Sequence, residues 1–288
     1  MDDFAYDNFL GLPPEMSAYE TAGFAVLPIP YDATTSFGGG TRLGPRAILT
    51  ASQQVELYDE ALGREVAPNV ATLPPVAPCA SGPEGTLRRV RDAAAKVVKD
   101  GKFLIGLGGE HSVTAPLVEA VRSRHRDLTV LQIDAHADLR DTYQGTPHSH
   151  ACVMRRVHDL GIKAVAVGIR NYCGDEAEFI RDAKPPIFHA RDVQCGNDWF
   201  GAVTDHLGNE VYVTVDIDGF DPAYAPGTGT PEPGGLNWYQ VTGLLAHVAA
   251  KRRIVALDVV EVYPAPPTSV TEFLAARLIH RVLGLVTA

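Results

Sequence analysis

Cysteine is scarce in this sequence. The 288 residues include four cysteines, Cys79, Cys152, Cys173 and Cys195, and no two of them form a Cys-x-x-Cys pair. A chain of this length buries about three-quarters of its unfolded surface, so it does not depend on disulfide bonds for its stability. We therefore expect reduced thiols and a cytoplasmic location.

Long apolar runs and a basic excess are also lacking. No run approaches the roughly 18 apolar residues of a membrane span. Residues 1–10 have neither the basic nor the apolar region of a signal peptide. The formal net charge is −10, which argues against nucleic acid as a partner and is compatible with a cationic substrate. We expect a protein that binds neither membranes nor nucleic acid.

Several catalytic signatures are absent as well. The phosphate-binding patterns G-x-x-x-x-G-K-[ST] and G-x-G-x-x-G do not occur, and neither does the nucleophile pattern G-x-S-x-G. No cysteine has an obvious base partner in the sequence. The pattern therefore gives no indication of a nucleophilic side chain.

Short apolar runs alternate with amphipathic patterns along the whole chain. Buried strands are predicted at residues 24–30, 102–108, 128–134, 163–169, 210–218 and 253–262, and helices at 86–100, 112–125, 237–253 and 270–286. Several strands are apolar on both faces, as parallel strands covered on both sides are. We predict a single domain over residues 1–288, with an α/β fold in three α-β-α layers around a largely parallel sheet. The proline-rich segment 67–85 is expected to be a surface loop or an irregular edge.

The run LTVLQI leads directly into Asp134, His136 and Asp138. If the chain stays extended, these alternate side chains point the same way. In a parallel α/β sheet, ligands bind at the carboxyl ends of strands. The motif therefore predicts a metal site at a strand end, although an ordinary polar loop is the simpler alternative.

A second predicted strand ends in Asp216 and Asp218, again at alternate positions, and Asp221 follows in a turn. A turn-forming acid would explain one of these residues but hardly two on the same face. Two such clusters would place four carboxylates together, and they could not all stay ionised without compensation. Two divalent cations would provide it.

A third predicted strand stops at Gly108 and Gly109 and is followed by Glu110, His111 and Ser112. Ser112 is a plausible helix N-cap. A histidine at a helix start is more often structural, but opposite two acid clusters His111 becomes a candidate ligand. Carboxylates with imidazole suit Mn²⁺ first, and Zn²⁺, Fe²⁺ or Ni²⁺ as alternatives. Such a pair of metals can acidify a water molecule.

Taken together, these motifs resemble the ureohydrolase family, which includes arginase and agmatinase. The matching segments GGEHS, DAHADLR, SHA, VDIDGFDPAYAPGTGTPEPGGL and LDVVEVYP occur in the family's order, from about residue 24 to the C-terminus. The resemblance implies an arginase-like fold and hydrolysis of a guanidino compound at two metal ions, of which Mn²⁺ is expected. It also suggests a homo-oligomer, either a trimer or a hexamer.

The resemblance also implies a role for each matching residue. His111 and Asp138 would complete one metal site, His136 and Asp218 would complete the other, and Asp134 and Asp216 would bridge the two ions. Asp138 would in addition carry a proton to the leaving amine.

Two further residues match family positions that act on the substrate. Glu261 would receive the guanidinium, since its carboxylate matches the planar donors of that group; a structural salt bridge is the alternative. His150 would move protons and contact the substrate, with its neighbour His148 as a rival.

The stretch LRDTYQGTPHSH lacks the Asn- and Ser-containing segment with which arginase holds the carboxylate of its substrate, and it resembles agmatinase-type members. We therefore expect agmatine as substrate and urea and putrescine as products. N1-aminopropylagmatine, 4-guanidinobutanoate, 3-guanidinopropanoate and guanidine remain open as alternatives. So do a metal-dependent deacetylase-like amidohydrolase and a non-catalytic relative.

Overall fold

The computed structural model describes residues 7–196 and 198–287. Ten strands lie within these residues: β1 (Phe24–Ile29), β2 (Tyr58–Asp59), β3 (Arg64–Glu65), β4 (Val70–Thr72), β5 (Phe103–Gly108), β6 (Leu128–Ile133), β7 (Lys163–Ile169), β8 (Ile187–His189), β9 (Glu210–Asp216) and β10 (Arg253–Val260). Strands β2 and β3 form a small antiparallel hairpin. The other eight form one sheet in the order β4-β1-β5-β10-β9-β6-β7-β8, in which neighbouring strands are parallel.

Helices connect the strands. In the described residues they are α1 (Pro14–Ser17), α2 (Gly44–Ser52), α3 (Pro83–Lys99), α4 (Thr114–Arg122), α5 (Val153–Asp159), α6 (Gly174–Ala183), α7 (Ala190–Cys195), α8 (Trp199–His206), α9 (Trp238–Lys251) and α10 (Val270–Val286). Short 3-10 helices lie at Phe9–Gly11, Thr41–Leu43, His111–Val113, His150–Cys152 and Ile217–Gly219. None of these helices has the length and apolar content that crossing a membrane requires.

Both faces of the sheet are buried, because successive side chains of each strand point to opposite sides. In β5, Leu104 packs into an apolar cluster with residues of α3, α4 and α5. Ile105 and Leu107 pack into a second cluster with residues of α2, α9 and α10. In α3, the buried residues Val90, Ala94 and Val97 are spaced for one helix face. The predicted three-layer α/β architecture is confirmed.

The six predicted strands are present, with ends that differ by at most two residues from the prediction. The proline-rich segment is mostly irregular, as expected, but it also contributes the edge strand β4. Strand β8 at the other edge was not predicted. Each edge strand has only three residues, which is too short for an alternation of apolar and polar residues to be recognised.

Candidate metal centre and substrate pocket

The candidate site lies at the carboxyl edge of the four central strands. Strands β5, β10, β9 and β6 are neighbours and parallel, so their carboxyl ends meet at one edge. The residues singled out in the sequence follow these ends: His111 after β5, Glu261 after β10, Asp216 and Asp218 at the end of β9, and Asp134, His136 and Asp138 after β6. The sheet order therefore assembles residues that are far apart in sequence.

The segment after β6 is not an extended strand, so the predicted alternation of side chains is wrong here. Strand β6 ends at Ile133, and Oδ1 of Asp134 accepts a hydrogen bond from the backbone N–H of His136 at 2.6 Å. Asp138 has a φ of 53°, in the left-handed region. Its carboxylate reaches the site because the backbone turns, and not because the chain stays pleated.

The segment after β9 departs from the prediction in the same way. Strand β9 ends at Asp216, and Asp218 lies in the 3-10 helix Ile217–Gly219. The backbone N–H of Asp218 donates to Oδ1 of Asp216 at 3.0 Å. Asp218 in turn accepts a hydrogen bond from the backbone N–H of Ala135 at 3.1 Å, which links the two acid segments. A tight turn therefore brings the two carboxylates together.

His111 faces three of the four aspartates. Its Nδ1 is 3.2 Å from Oδ2 of Asp134, 3.1 Å from Oδ2 of Asp138 and 3.4 Å from Oδ2 of Asp216. The ring and these carboxylates are buried. One nitrogen and three oxygens therefore converge on a single point.

The other side of the His111 ring is held by a hydroxyl and a carboxylate that were not predicted. Thr214 Oγ1 is 3.0 Å from Nε2 of His111 and donates to Asp258 at 2.6 Å. Asp258 also accepts from the hydroxyl of Tyr212 at 2.6 Å. Because the Thr214 proton goes to Asp258, its oxygen accepts the Nε2 proton of the ring. With Nε2 protonated in this way, Nδ1 is the ring atom that would bind a metal ion.

Ser112, predicted as an N-cap, does not cap a helix. It lies inside the 3-10 helix His111–Val113, whose N-cap is Glu110. Its hydroxyl instead donates to the carboxylate of Glu110 at 2.5 Å. The short 3-10 turn moves the helix start away from the position that the sequence pattern indicates.

His136 forms the second part of the site. Its Nδ1 is 2.9 Å from Oδ2 of Asp218 and 3.8 Å from Oδ1 of Asp134. The donor atoms form two groups, and within each group every atom lies within 4.8 Å of the others. The first group consists of His111, Asp134 and Asp216, and the second of Asp134, His136 and Asp218. Asp134 belongs to both groups. Asp138 belongs to neither, although it contacts His111.

The carboxylates of the site are buried close together, which makes their ionised forms unfavourable without nearby positive charge. Burial and neighbouring carboxylates raise the pKa of Asp134 and Asp216, and they raise the pKa of Asp138 to about 7. Burial alone would lower the pKa of His136, but Asp218 and Asp134 raise it to about 11. Buried carboxylates packed this closely are stabilised in their ionised form by positive charge. Four carboxylates and two imidazoles fit a pair of divalent metal ions.

Glu261 lies next to this cluster. It has a φ of 60°, and its backbone N–H donates to the carbonyl of Gly109 at 2.7 Å. Its carboxylate accepts a hydrogen bond from the backbone N–H of His111 at 2.8 Å. Burial, together with the negative charge of Glu110, raises the pKa of Glu261 well above its usual range. A buried carboxylate of this kind is suited to a cationic partner.

The structure separates the two candidate histidines, His148 and His150. His150 lines the same cavity as Glu261, with its Nε2 3.5 Å from the hydroxyl of Ser36 and its ring edge-on to Tyr143. His148 lies in another groove, with its Nε2 3.7 Å from Glu84. His150 therefore faces the donor groups and His148 does not.

A cavity of about 260 Å³ opens onto the two donor groups. Its walls include residues that the sequence analysis did not single out, among them Arg140, Tyr143, Asn171, Tyr172 and Glu176. Asn171 and Tyr172 follow the end of β7, so the strand-end rule could have found them. No sequence pattern signals the stacking of Arg140 on Tyr143, at 4.7 Å. A larger cavity of about 590 Å³ contains none of the predicted site residues.

Comparison with known proteins agrees with this geometry. The model of the arginase family matches residues 22–284. An N(1)-aminopropylagmatine ureohydrolase of Synechocystis sp. is 40% identical over 278 residues, 93% of this chain and 90% of that protein. An agmatinase of Pyrococcus horikoshii is 34% identical over 271 residues, 92% of each. The solved structure of agmatine ureohydrolase of Thermoplasma volcanium has a TM-score of 0.87 at 32% identity, over 99% of this chain and 96% of that chain.

Proposed function

The chain belongs to the arginase family, and on that premise we propose that it is an agmatinase-type ureohydrolase. It hydrolyses the guanidino group of agmatine to urea and putrescine. The observation that carries this proposal is the juxtaposition of a buried Glu261 with two histidine–aspartate donor groups around one cavity. The carboxylate receives the guanidinium beside the metal pair.

The family is one of binuclear metal-dependent hydrolases, and the donor set suits two divalent ions. We propose that His111 and Asp138 would hold one ion, that His136 and Asp218 would hold the other, and that Asp134 and Asp216 would contribute to both. Mn²⁺ is the expected metal, because carboxylates with imidazole favour it. When bound, the metal pair lowers the pKa of a water molecule and so supplies the nucleophile.

The residues of the chain position the substrate and move protons. Glu261 orients the guanidinium so that its central carbon faces the nucleophile. The reaction breaks the bond between this carbon and the alkyl nitrogen, which must leave as an amine. Asp138, which lines the cavity and lies 3.1 Å from Nδ1 of His111, carries the proton from the nucleophile to that nitrogen.

His150 exchanges protons between the site and solvent. Burial in the wall of the cavity lowers its pKa to about 4. The ring is therefore neutral near pH 7 and is free to accept a proton. Its position in the wall of the cavity, 3.5 Å from the exposed Ser36, connects the site with the surface.

N1-aminopropylagmatine is a second candidate substrate. It is supported by the relative of that name, whose 40% identity is higher than the 34% of the agmatinase of Pyrococcus horikoshii. Both compounds present the same guanidinium and differ in the length and number of amines of the tail. The tail would lie in the outer cavity between Tyr143 and Tyr172.

The test is urea release after loading with Mn²⁺. The substrates are agmatine, N1-aminopropylagmatine, L-arginine and 4-guanidinobutanoate, with an acetylated polyamine to test for deacylation. We expect urea from agmatine, no turnover of L-arginine and no acetate. A higher kcat/KM with N1-aminopropylagmatine would make that compound the substrate. Absence of urea from every guanidino compound would contradict the proposed function.

We further propose that residues 1–288 form one catalytic domain, that the protein is a cytoplasmic homo-oligomer, and that the oligomer is a trimer or a hexamer. The family match over residues 22–284 supports the first point. The net charge of −10 supports the expectation that nucleic acid is not a partner. Light scattering during size-exclusion chromatography measures the number of chains.

A further inference from the structure

One buried carboxylate at the site has no role in the reaction described above. Glu110 is completely buried and precedes His111. Its Oε1 accepts hydrogen bonds from the hydroxyl of Thr34 at 2.6 Å and from that of Ser112 at 2.5 Å. Its Oε2 accepts from the backbone N–H of Thr34 at 2.6 Å. Both polar hydrogens of Thr34 are thus directed to one carboxylate, 76 positions away in sequence.

The hydroxyl of Thr34 makes one more contact, and it leads to His150. The backbone N–H of His150 lies 3.1 Å from Oγ1 of Thr34. A backbone N–H can only donate, so the oxygen of Thr34 is the acceptor. Hydrogen bonds therefore run from the Glu110 carboxylate, through one hydroxyl, to the main chain of the proposed proton carrier.

The segment that carries Thr34 is firmly attached to the end of β5. The backbone N–H of Glu110 donates to the carbonyl of Tyr31 at 2.8 Å, and that of Gly109 donates to Ile29 at 2.9 Å. A side chain at Gly109 would collide with the backbone of Tyr31. Because these contacts fix the segment to β5, Thr34 holds a fixed position and can hold the backbone N–H of His150 in place.

The segment around His150 is fixed on its C-terminal side: the carbonyl of Ala151 accepts a hydrogen bond from the backbone N–H of Arg140 at 3.2 Å, and the backbone N–H of Met154 donates to the carbonyl of Asp138 at 3.0 Å. The contacts at Ser149 and His150 are different. The side chain of Ser149 accepts a hydrogen bond from Ala151 at 3.4 Å and lies 3.2 Å from Nδ1 of His150. Both contacts are local and move together with the segment. The link through Thr34 spans 116 positions and joins His150 to the central sheet.

We propose that Thr34 and Glu110 are positioning residues that place the main chain of His150, and hence its ring, at the correct distance from the reacting groups. The inference rests on the proposed function, since it concerns the proton step assigned to His150. Glu110 fixes Thr34, and Thr34 fixes His150. Neither residue needs to contact the substrate.

The chain offers a matched control two residues earlier. The backbone N–H of His148 donates to the hydroxyl of Thr146, also at 3.1 Å and also in a partly buried setting. His148 lies outside the cavity that contains the donor groups. Thr34→Val and Thr146→Val each remove the acceptor of a histidine backbone N–H, but only the first concerns a residue of the site. Thr34→Val also removes the hydrogen bond to Glu110.

We expect Thr34→Val to lower kcat by about tenfold or more, because a displacement of about 1 Å in a catalytic site costs up to roughly 100-fold. Bound metal should remain at the wild-type level. Thr34→Ser, which keeps the hydroxyl, should restore most of the rate, and Thr146→Val should stay within about twofold of wild type. Equal effects of the two valine variants would overturn the proposal. If Thr34→Val does not fold, Glu110→Gln tests the same link, because its amide keeps one acceptor oxygen and turns an NH2 group either to the backbone N–H of Thr34 or to the hydroxyls of Thr34 and Ser112.

A double-mutant cycle separates positioning from a general structural effect. In a His150→Ala background, Thr34→Val should cause no further loss of kcat, since the group that it positions is gone. The same fold loss in both backgrounds would overturn the proposal.

The NMR signals of the histidine imidazoles test the positioning of His150 independently of the proposed function. The His150 signal is assigned by its loss in His150→Ala, and Thr34→Val should shift it while Thr146→Val does not. A wild-type enzyme that releases no urea would contradict the function alone, and the NMR result would still decide the positioning. An unmoved His150 signal in Thr34→Val would overturn the positioning whatever the activity.

Discussion

The backbone N–H of His111 donates a hydrogen bond to Oε1 of Glu261 at 2.8 Å, between residues 150 positions apart in sequence. The side chain of His111 faces the aspartates, while its main chain orients the carboxylate proposed to hold the guanidinium. One residue therefore couples the metal centre to the substrate site. A displacement of the segment of His111 or of the segment of Glu261 would alter both the metal centre and the substrate site.

Replacement of Glu261 by glutamine should separate these two functions. The side-chain amide oxygen of the Glu261→Gln variant can still accept the hydrogen bond of His111, so we expect normal folding and metal content. Loss of a buried charged partner costs about 2–4 kcal/mol, so kcat/KM for agmatine should fall by roughly 30- to 700-fold. Steady-state urea release measures this change, with Glu84→Gln, an exposed glutamate, as the control. A variant with wild-type kcat/KM would show that Glu261 has a purely structural role.

Removal of Asp216 should abolish metal binding. Its buried carboxylate lies 3.4 Å from Nδ1 of His111 and also holds the backbone of Asp218. We expect Asp216→Ala to lose metal and more than about 100-fold of its turnover, which exceeds the effect of removing an outer partner. Metal per chain is measured by mass spectrometry of the metal. The exposed Asp205 of α8 provides the control Asp205→Ala, and normal metal content in Asp216→Ala would refute the assignment.

The close approach of the residue after β5 to the segment that follows β1 should make Gly109 intolerant of substitution. The added Cβ of Gly109→Ala would overlap the carbonyl of Tyr31, whereas nothing lies within 4 Å of a Cβ at Gly174. Overpacking costs about 1–3 kcal/mol, so Gly109→Ala should lower the free energy of unfolding by that amount. Gly174→Ala should leave it unchanged or raise it by up to about 1 kcal/mol. Chemical denaturation compares the two, and equal stabilities would contradict the steric argument.

His280 should make the folded protein sensitive to mild acid. Its Nε2 lies 3.0 Å from the carbonyl of Val66, and its Nδ1 faces Arg277 at 3.4 Å. Burial lowers the pKa of His280 below its usual 6.5. The unfolded chain therefore binds this proton at a higher pH than the folded protein does. The stability due to neutral His280 is fully present above about pH 6.5 and is lost as the pH falls through the folded pKa.

Denaturation of the metal-loaded protein between pH 8 and pH 5 tests this dependence. The wild type should lose more free energy of unfolding over this interval than His280→Gln, whose side chain does not titrate. Effects of pH on metal binding are common to both proteins and cancel in the comparison. Parallel pH profiles would show that His280 does not contribute.

Much of the site could be predicted because apolar and charged residues follow one another so abruptly. The run before Asp134 is mostly apolar on both faces, which predicts a buried parallel strand, and Asp134, His136 and Asp138 follow it directly. The same applies to the run before Asp216. Carboxyl ends of parallel strands meet at one edge, so the convergence of these residues follows from their position in the chain.

The direction in which each acidic side chain points could not be predicted, because it depends on backbone contacts with residues that are distant in sequence. The carbonyl of Asp138 accepts hydrogen bonds from the backbone N–H groups of Met154 and Arg155 at the start of α5. Glu261 is held by Gly109, which follows β5. Asp138 and Glu261 both have a positive φ, a backbone conformation that residues other than glycine rarely adopt without such support.

By itself, the sequence determined the chemical identity of the site: which strands end in acids, which histidines accompany them, and therefore which class of metal and substrate they suit. The tertiary structure alone decided which of these groups meet. Sheet order placed β10 between β5 and β9, so Glu261 came to lie beside His111, and Thr34 was brought to His150. The periodicity of apolar residues predicts which faces of a single strand are buried, whereas contacts between segments distant in sequence depend on how the whole chain packs.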